Sequence, residues 1–430
     1  MNAKKPIIVE SNRIYNKAEK IIPCQTQTLS KAPFNYVDGL SPKYLKKGKG
    51  CHVWDVDGNK YIDYGMALGA ISLGYCYDVV DNSIREQLKD AINLTLMHPL
   101  EVEVSELLID IIPCAEMVRF GKNGSDVTSA AIRLARAYTK KDLVICCGYH
   151  GWQDWYASTL SLNEGIPKDV KKLTIKFNYN DIDTLKKIID ENHNKIACLI
   201  IEPSVSELPY DDFLHKAKEL CSKNKIVFIF DEMKTGCRIA IGGAQEYFGI
   251  IPDIATFGKG IGNGMPISAI VGKEKIMSYM KNIFFSFTSG GELLSLAAAK
   301  ATINEFISKD AIVKMNKLGL ILFEEYNKIL EYYGLHKIIK LKGMKTYNVL
   351  TILDSKKAEL YKSLLIQEMA KRGILFGGYN IICYSHEKED IDKSIQAFNE
   401  SVELLSIWIK DRIEDEKLEG KPTRPVFKRY

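Results

Sequence analysis

Short, uninterrupted apolar runs recur along this chain, and Leu143–Cys147, Ile196–Ile201 and Ile226–Phe230 are the clearest. None alternates polar with apolar residues, so each predicts a strand buried on both faces. Each follows a stretch with helical spacing of its apolar side chains, and the segments before the second and third are rich in Lys and Glu. Repetition of that pair is the pattern of a parallel sheet covered by helices on both sides, an α/β architecture. Ligands of such sheets collect beyond the carboxyl ends of the strands. Two of the runs end at side chains suited to that place: Ile201 precedes Glu202-Pro203, and Phe230 precedes Asp231-Glu232.

Other stretches give the organisation around this sheet. Residues 51–64 read as a hairpin, because two β-prone runs flank Asp57-Gly58, a dipeptide that supplies the positive φ of a tight turn. Residues 101–112 and 126–140 have helical spacing. After about residue 310 the chain turns to Lys/Glu/Leu helices with short strands such as Tyr347–Ile352, a smaller α+β domain. The expected division is 1–75 with the small domain, 76–310 as the large domain and 311–430 as the rest of the small one. From about Glu414 the charged, Pro-containing end predicts a loosely held tail. No internal repeat or low-complexity linker interrupts the 430 residues.

Charge and cysteine content narrow the function classes. A net charge of +5, with the basic residues scattered, does not form the patch or stripe of a nucleic-acid partner. Ten cysteines spread thinly through a large chain, with no C-x-x-C pair, predict reduced and mostly buried thiols, no metal site and a cytoplasmic protein. The first twenty residues make a poor signal peptide, and no segment approaches the roughly 18 apolar residues of a membrane span.

The chemistry concentrates in four places. TFGKGIGNGMP (256–266) sets Lys259 in a glycine-dense loop after an apolar stretch. The alternating glycines fit neither the dinucleotide fingerprint nor the P-loop. A lysine on small-residue backbone suits imine formation with a bulky aldehyde that must lie close to the chain. Asp231 ends a predicted buried strand, where a carboxylate needs a cationic partner such as a protonated pyridine nitrogen. Asn-Gly-Ser-Asp, 123–126, precedes an amphipathic helix; its amides and the helix dipole favour a phosphate, although Ser125 or Asp126 could equally be a plain cap. Tyr149-His150-Gly151 follows a strand, and its tyrosine could stack on a flat cofactor. His150, Lys234 and Arg238 read more simply as one structural histidine and two solvated cations.

Together these stretches resemble the class III aminotransferases, and among them the group containing glutamate-1-semialdehyde aminomutase. GKGCHVWDVDGNKYIDY, FGKNGSDVTSAAIRLARAYT, YHGWQDW, FDEMKTGCR, GGAQEYFGIIPDIATFGKGIGNGMPISAIVG and FTSGGELLSLAAA carry the resemblance in the family's order, from about Leu29 to Phe398. It implies a fold-type I transferase with a large, mostly parallel-sheet domain, and pyridoxal 5'-phosphate as cofactor. By the same resemblance Lys259 is the Schiff-base lysine and Asp231 the partner of the pyridine nitrogen. Met233 and Tyr149 cover the two ring faces, and Gly124 and Ser125 form the phosphate turn. Glu202 matches a glutamate toward the substrate side. Thr288 resembles a threonine that reaches the phosphate from the neighbouring subunit, which implies a homodimer with shared sites.

Departures from the aminomutase pattern are equally specific. Ala67-Leu68 stands where the aminomutase has a Ser-Trp pair, and Ser30-Lys31-Ala32-Pro33 lacks its arginine. Lysine offers a point charge where an arginine fork would grip a carboxylate bidentately. Gly377-Gly378-Tyr379-Asn380 also differs from its usual residues. The expected activity is therefore transfer from an amino acid donor, L-glutamate first, to a small or sugar-like carbonyl acceptor. An intramolecular 1,2-amino shift is the alternative. A non-catalytic relic of the fold would not need Lys259, Asp231 and the phosphate turn together.

Overall fold

A computed structural model describes residues 3–204, 206–354 and 356–424. The chain divides into two compact units, Asp78–Ile312 and a second made of residues 1–77 with 313–430. In the first unit the strands are β1 (Met117–Gly121), β2 (Leu143–Cys147), β3 (Thr174–Lys176), β4 (Ile196–Ile201), β5 (Val227–Asp231), β6 (Ile254–Phe257) and β7 (Ser268–Gly272). They form one sheet in the order β1-β7-β6-β5-β4-β2-β3. Pairing is parallel from β3 through β6, and only β7 runs antiparallel to its neighbours. Every residue of β2, β4, β5, β6 and β7 is buried, as unbroken apolar runs require when helices cover both faces.

The helix α1 (Gly124–Thr139) packs Val127, Ala130, Ala131, Leu134 and Ala135 into the core of this sheet. Its N-cap is Asn123, in a reciprocal capping box with Asp126, and not the Ser125 or Asp126 expected from the sequence. That difference frees Ser125 for other contacts. Parallel pairing puts the carboxyl ends of β1, β2, β4, β5 and β6 on one edge of the sheet; Gly124, Ser125, Tyr149, Glu202, Met233 and Lys259 follow those ends, and Asp231 closes β5.

In the second unit the hairpin pairs His52–Asp55 with Lys60–Asp63 around Gly58, whose φ is +91°. A separate three-stranded sheet includes Tyr347–Ile352. The helices Ala358–Lys371 and Lys388–Asp411 pack together, and Tyr326 stacks on Phe398 at 3.8 Å between ring centroids. The loosely held tail is corrected through Arg424. Glu414 is buried on Lys357, Thr423 is buried on Ser363, and the Arg424 amide donates to the Phe34 carbonyl. Those buried hydrogen bonds outweigh the charge that made the segment read as solvated. Residues 425–430 lie outside the described residues. Among the described residues, no helix is long and apolar enough to cross a membrane.

Candidate active site at the carboxyl edge of the sheet

Asp231 closes β5, is only 2% exposed, and is held from three sides. Oδ1 accepts from the Met233 amide at 3.1 Å and from the Thr256 hydroxyl at 3.3 Å, while Oδ2 lies 2.8 Å from His150 Nδ1. The other ring nitrogen of His150 faces the Cys147 carbonyl at 3.1 Å. A carbonyl can only accept, so Nε2 carries a proton and the ring orientation is fixed. His150 is itself buried against Trp155 and Tyr156. The histidine that read as structural is thus the direct partner of the carboxylate. No sequence signal marks this, because β2 and β5 are separated in the sheet by β4.

Lys259 follows β6 through Gly258 and adopts a φ of +48°, which is uncommon outside glycine and asparagine. A Cβ on Gly258 would come within 2.8 Å of Met233 Sδ, and one on Gly124 within 3.0 Å of the same sulfur. Met233 therefore lies against both the lysine loop and the start of α1. Burial is the main cause that lowers the Lys259 ammonium to about 8 from its usual 10.5. The Lys234 cation lowers it further, Glu202 and Asp231 oppose this, and Arg238 adds to the lowering.

Glu202 follows β4, is 3% exposed, and uses both oxygens. Oε2 accepts from the Tyr149 amide at 3.0 Å, and Oε1 pairs with Lys234 Nζ at 2.7 Å. The solvated reading of the two cations is corrected here. Lys234 is mostly buried on Glu202, and Arg238 is 3% exposed. For Lys234 the tertiary fold supplies a counter-charge that the local sequence does not reveal. The Tyr149 ring is 43% exposed and meets Tyr156 edge-on at 5.5 Å. The neighbouring Glu232 is a buried strut of the loop. It accepts from the Ala244 and Gln245 amides and the Thr235 hydroxyl, and burial pushes its carboxyl up to about 7.

At the start of α1, the Ser125 hydroxyl accepts from the Trp152 amide at 3.2 Å. Gly151 has φ +109°, and a Cβ there would come within 2.2 Å of Ser125 Oγ. The sheet edge therefore gathers Gly124, Ser125, Tyr149, Glu202, Asp231, Met233 and Lys259. Thr288 stands apart from them: it is exposed in the segment before Leu293, where its carbonyl accepts from Asn93 Nδ2 at 3.1 Å.

One further cluster, in the other unit, combines Cys51, His52 and Asp390. Asp390 accepts from the Cys51 thiol and the Glu387 amide and pairs with His52 Nε2 at 3.3 Å. Burial, with Cys383 and Asp390 nearby, keeps the Cys51 thiol protonated. The carboxylate acts as a helix cap with satisfied donors, an arrangement that needs no ion.

Comparisons with known proteins give the family and the fold. A family model described as "Aminotransferase class-III" matches residues 38–402. Glutamate-1-semialdehyde 2,1-aminomutase of Wigglesworthia glossinidia brevipalpis is 34% identical over 92% of this chain and 98% of its own length. 3-Aminobutyryl-CoA aminotransferase of Cloacimonas acidaminovorans is 33% identical over 93% and 98%. In fold, the pyridoxal-phosphate-bound FumI protein of Sphingopyxis sp. MTA144 superposes with a TM-score of 0.87 at 22% identity, covering 96% of this chain and 98% of that one.

Proposed function

Since this chain belongs to the class-III aminotransferases, enzymes that work with pyridoxal phosphate, we propose that it moves an amino group between two substrates. The donor in this reading is an amino acid, L-glutamate first, and the acceptor a small or sugar-like carbonyl compound. The single observation that carries it is a lysine, Lys259, set in a glycine loop at the same sheet edge as a rigid, buried carboxylate, Asp231.

The residues present fit the cofactor. Gly124 and Gly258 let Met233, and Gly151 lets Ser125, lie close against backbone that a Cβ at any of them would push away, so both side chains are held at the sheet edge where a ring face and a phosphate would need them. Gly124 and Ser125 begin a sixteen-residue helix, whose free amides and dipole suit a phosphate. Asp231 is placed to pair with a ring nitrogen, Met233 offers an apolar face and Tyr149 an aromatic one. When bound, pyridoxal phosphate supplies an electron sink for the bond broken at the amine-bearing carbon.

The chain's residues do the rest. Burial favours the neutral form of the Lys259 amine, the form that can attack a carbonyl and later accept and return the proton at the substrate carbon. An ammonium at its usual value could do neither. Asp231 favours a proton on the ring nitrogen, and His150 and Thr256 keep its carboxylate aimed. Ser125 fixes the phosphate end, which sets the orientation of the bond to be broken.

The functional unit in this reading is a homodimer. Leu94, Leu96, Met97 and Phe284 are exposed, the last three by 76%, 80% and 80%. The Asn93–Thr288 and Leu293–Ile92 hydrogen bonds join the segments that carry them. An apolar surface of this kind calls for a cover, and a second copy would bring its own Thr288 with it. Ten free cysteines, two exposed and the others buried, support a reducing, cytoplasmic setting.

An intramolecular aminomutase is the second reading, favoured by the name of the 34%-identical relative. The 33%-identical aminotransferase, together with Ala67-Leu68 and Lys31, supports the first. The test is the visible spectrum of the protein loaded with pyridoxal phosphate, before and after excess L-glutamate. Loss of the yellow colour supports transfer from glutamate. Colour unmoved by glutamate, with turnover of an amino-aldehyde in the absence of any donor, selects the mutase. Failure to take up the cofactor, or a borohydride label found away from Lys259, overturns both.

A further inference from the structure

We propose that the ion pair between Lys122 and Glu292 couples cofactor binding to subunit association, by tying the phosphate turn of one subunit to the turn which that subunit lends its partner. Both are positioning residues. The proposal rests on the reading of the enzyme as a homodimer in which Thr288 faces a neighbouring site, but not on the identity of either substrate.

Lys122 and Glu292 are 170 residues apart in the chain, yet Nζ lies 2.8 Å from Oε2 and both side chains are mostly buried. Each end of the pair is locked to backbone. Asp126 Oδ2 accepts from the Lys122 amide at 3.1 Å and from the Asn123 amide at 3.0 Å, and Ser268 Oγ donates to the Asn123 carbonyl at 2.9 Å. The two residues before Gly124 are therefore fixed to α1 and to β7. On the other side, Glu292 is the N-cap of the helix Leu293–Ser308. Its Oε1 accepts from the Leu294 amide at 2.7 Å, and its Oε2 from the Ser295 amide at 3.2 Å and hydroxyl at 2.6 Å. The pair thus joins two helix starts. One carries Gly124 and Ser125, and the other follows the turn 288–291.

That turn is anchored at its far end as well. Arg119 on β1 donates to the Phe285 carbonyl at 3.0 Å, and Arg133 on α1 donates to the Phe284 carbonyl. Both arginines are exposed and reach neutral acceptors, whereas the Lys122–Glu292 contact is charged at both ends and mostly out of water. It is also the contact nearest both turns, two residues before Gly124 and four after Thr288. A phosphate held by the free amides at the start of α1 fixes that helix start, and Lys122 with it. Through Glu292 the same event fixes the turn presented to the partner, so less ordering is left for association to supply. By linkage, association strengthens cofactor binding by the same factor.

The test is the dimer dissociation constant of the full-length protein, measured by sedimentation with the cofactor removed and again at saturating pyridoxal phosphate. The ratio of the two constants is the linkage. Lys122→Met removes the cation but leaves Glu292 its three cap donors, and Lys122→Arg keeps the charge. Lys122→Met should reduce the ratio by about five-fold or more, and Lys122→Arg should leave it within about two-fold of wild type. A merely structural role would weaken the dimer equally with and without cofactor, and so leave the ratio alone. If Lys122→Met does not fold, Lys122→Met/Glu292→Gln removes both charges, keeps an oxygen for the cap and should reduce the ratio likewise. A wild-type ratio in whichever of these charge-removed variants folds overturns the proposal alone. A wild-type protein that is monomeric, or whose association ignores the cofactor, overturns the homodimer reading and the proposal with it.

Discussion

Replacing Gly151 by alanine should weaken pyridoxal-phosphate binding through Ser125, although Gly151 has no functional group of its own. At φ +109° the alanine would be strained by roughly 1–3 kcal/mol. Its Cβ would also fall 2.2 Å from Ser125 Oγ, 2.9 Å from Ser125 Cβ and 3.1 Å from Ser125 Cα. The last of these is backbone at the start of α1, so a rotamer change alone cannot relieve the contact. Ser125 must turn away, losing the hydrogen bond from the Trp152 amide. A hydroxyl bonded to a charged group contributes about 1.5–3 kcal/mol, so affinity for pyridoxal phosphate should fall by roughly 10- to 100-fold. A spectroscopic titration of the dialysed protein with pyridoxal phosphate measures this, alongside thermal unfolding. Gly165→Ala is the control: its φ is +83° and nothing lies within 4 Å of the new Cβ, so it should lose stability alone. Ser125→Ala should reproduce the loss, and combining it with Gly151→Ala should add little, because both act through one hydroxyl. A Gly151→Ala protein that is destabilised yet binds the cofactor within two-fold of wild type would refute the role given to Ser125.

Removing the Lys259 amine should stabilise the cofactor-free fold. The folded value of about 8 lies below the unfolded 10.5, so the penalty is fully present below 8 and disappears as pH rises to 10.5. Lys259→Met should therefore be more stable than wild type at pH 7 by up to about 3 kcal/mol, with the gap closing near pH 10.5 in urea titrations; a gap constant with pH would contradict this. Glu232 acts with the opposite slope: pushed up to about 7, it contributes stability present below about 4.5 and lost as pH rises through 7. Leu96→Glu should shift the sedimenting species from dimer to monomer and reduce cofactor affinity together, whereas a monomeric wild type would remove the role given to Thr288. Phe398→Ala loses the stacked contact with Tyr326 in a fully buried position and should cost about 3–5 kcal/mol in denaturant unfolding.

Sequence by itself determined the layered sheet and the ends of its strands. Runs such as Ile196–Ile201 have no polar face, so they could only be covered on both sides, and the helices between them made the sheet parallel. Parallel strands put their carboxyl ends together, which is why Glu202 and Asp231 could be grouped from the sequence, while Lys259 joined them through its glycine-dense loop and the family resemblance. The hairpin at Gly58 was legible for the same local reason, a turn that needs positive φ. Electrostatics and long-range partners were decided only by the tertiary structure. Lys234 read as solvated because a string gives its charge but not the carboxylate facing it, and Arg238 because a string does not show its burial. His150 read as structural because its partner Asp231 is 81 residues away, across an intervening strand. The end of the chain read as loose because charge was visible and the buried bonds of Glu414 and Thr423 were not. Apolar periodicity is a local property of the chain and survives in one dimension. A pKa, an ion pair or a buried cap depends on what else has been brought within a few ångströms, and only the folded chain sets that.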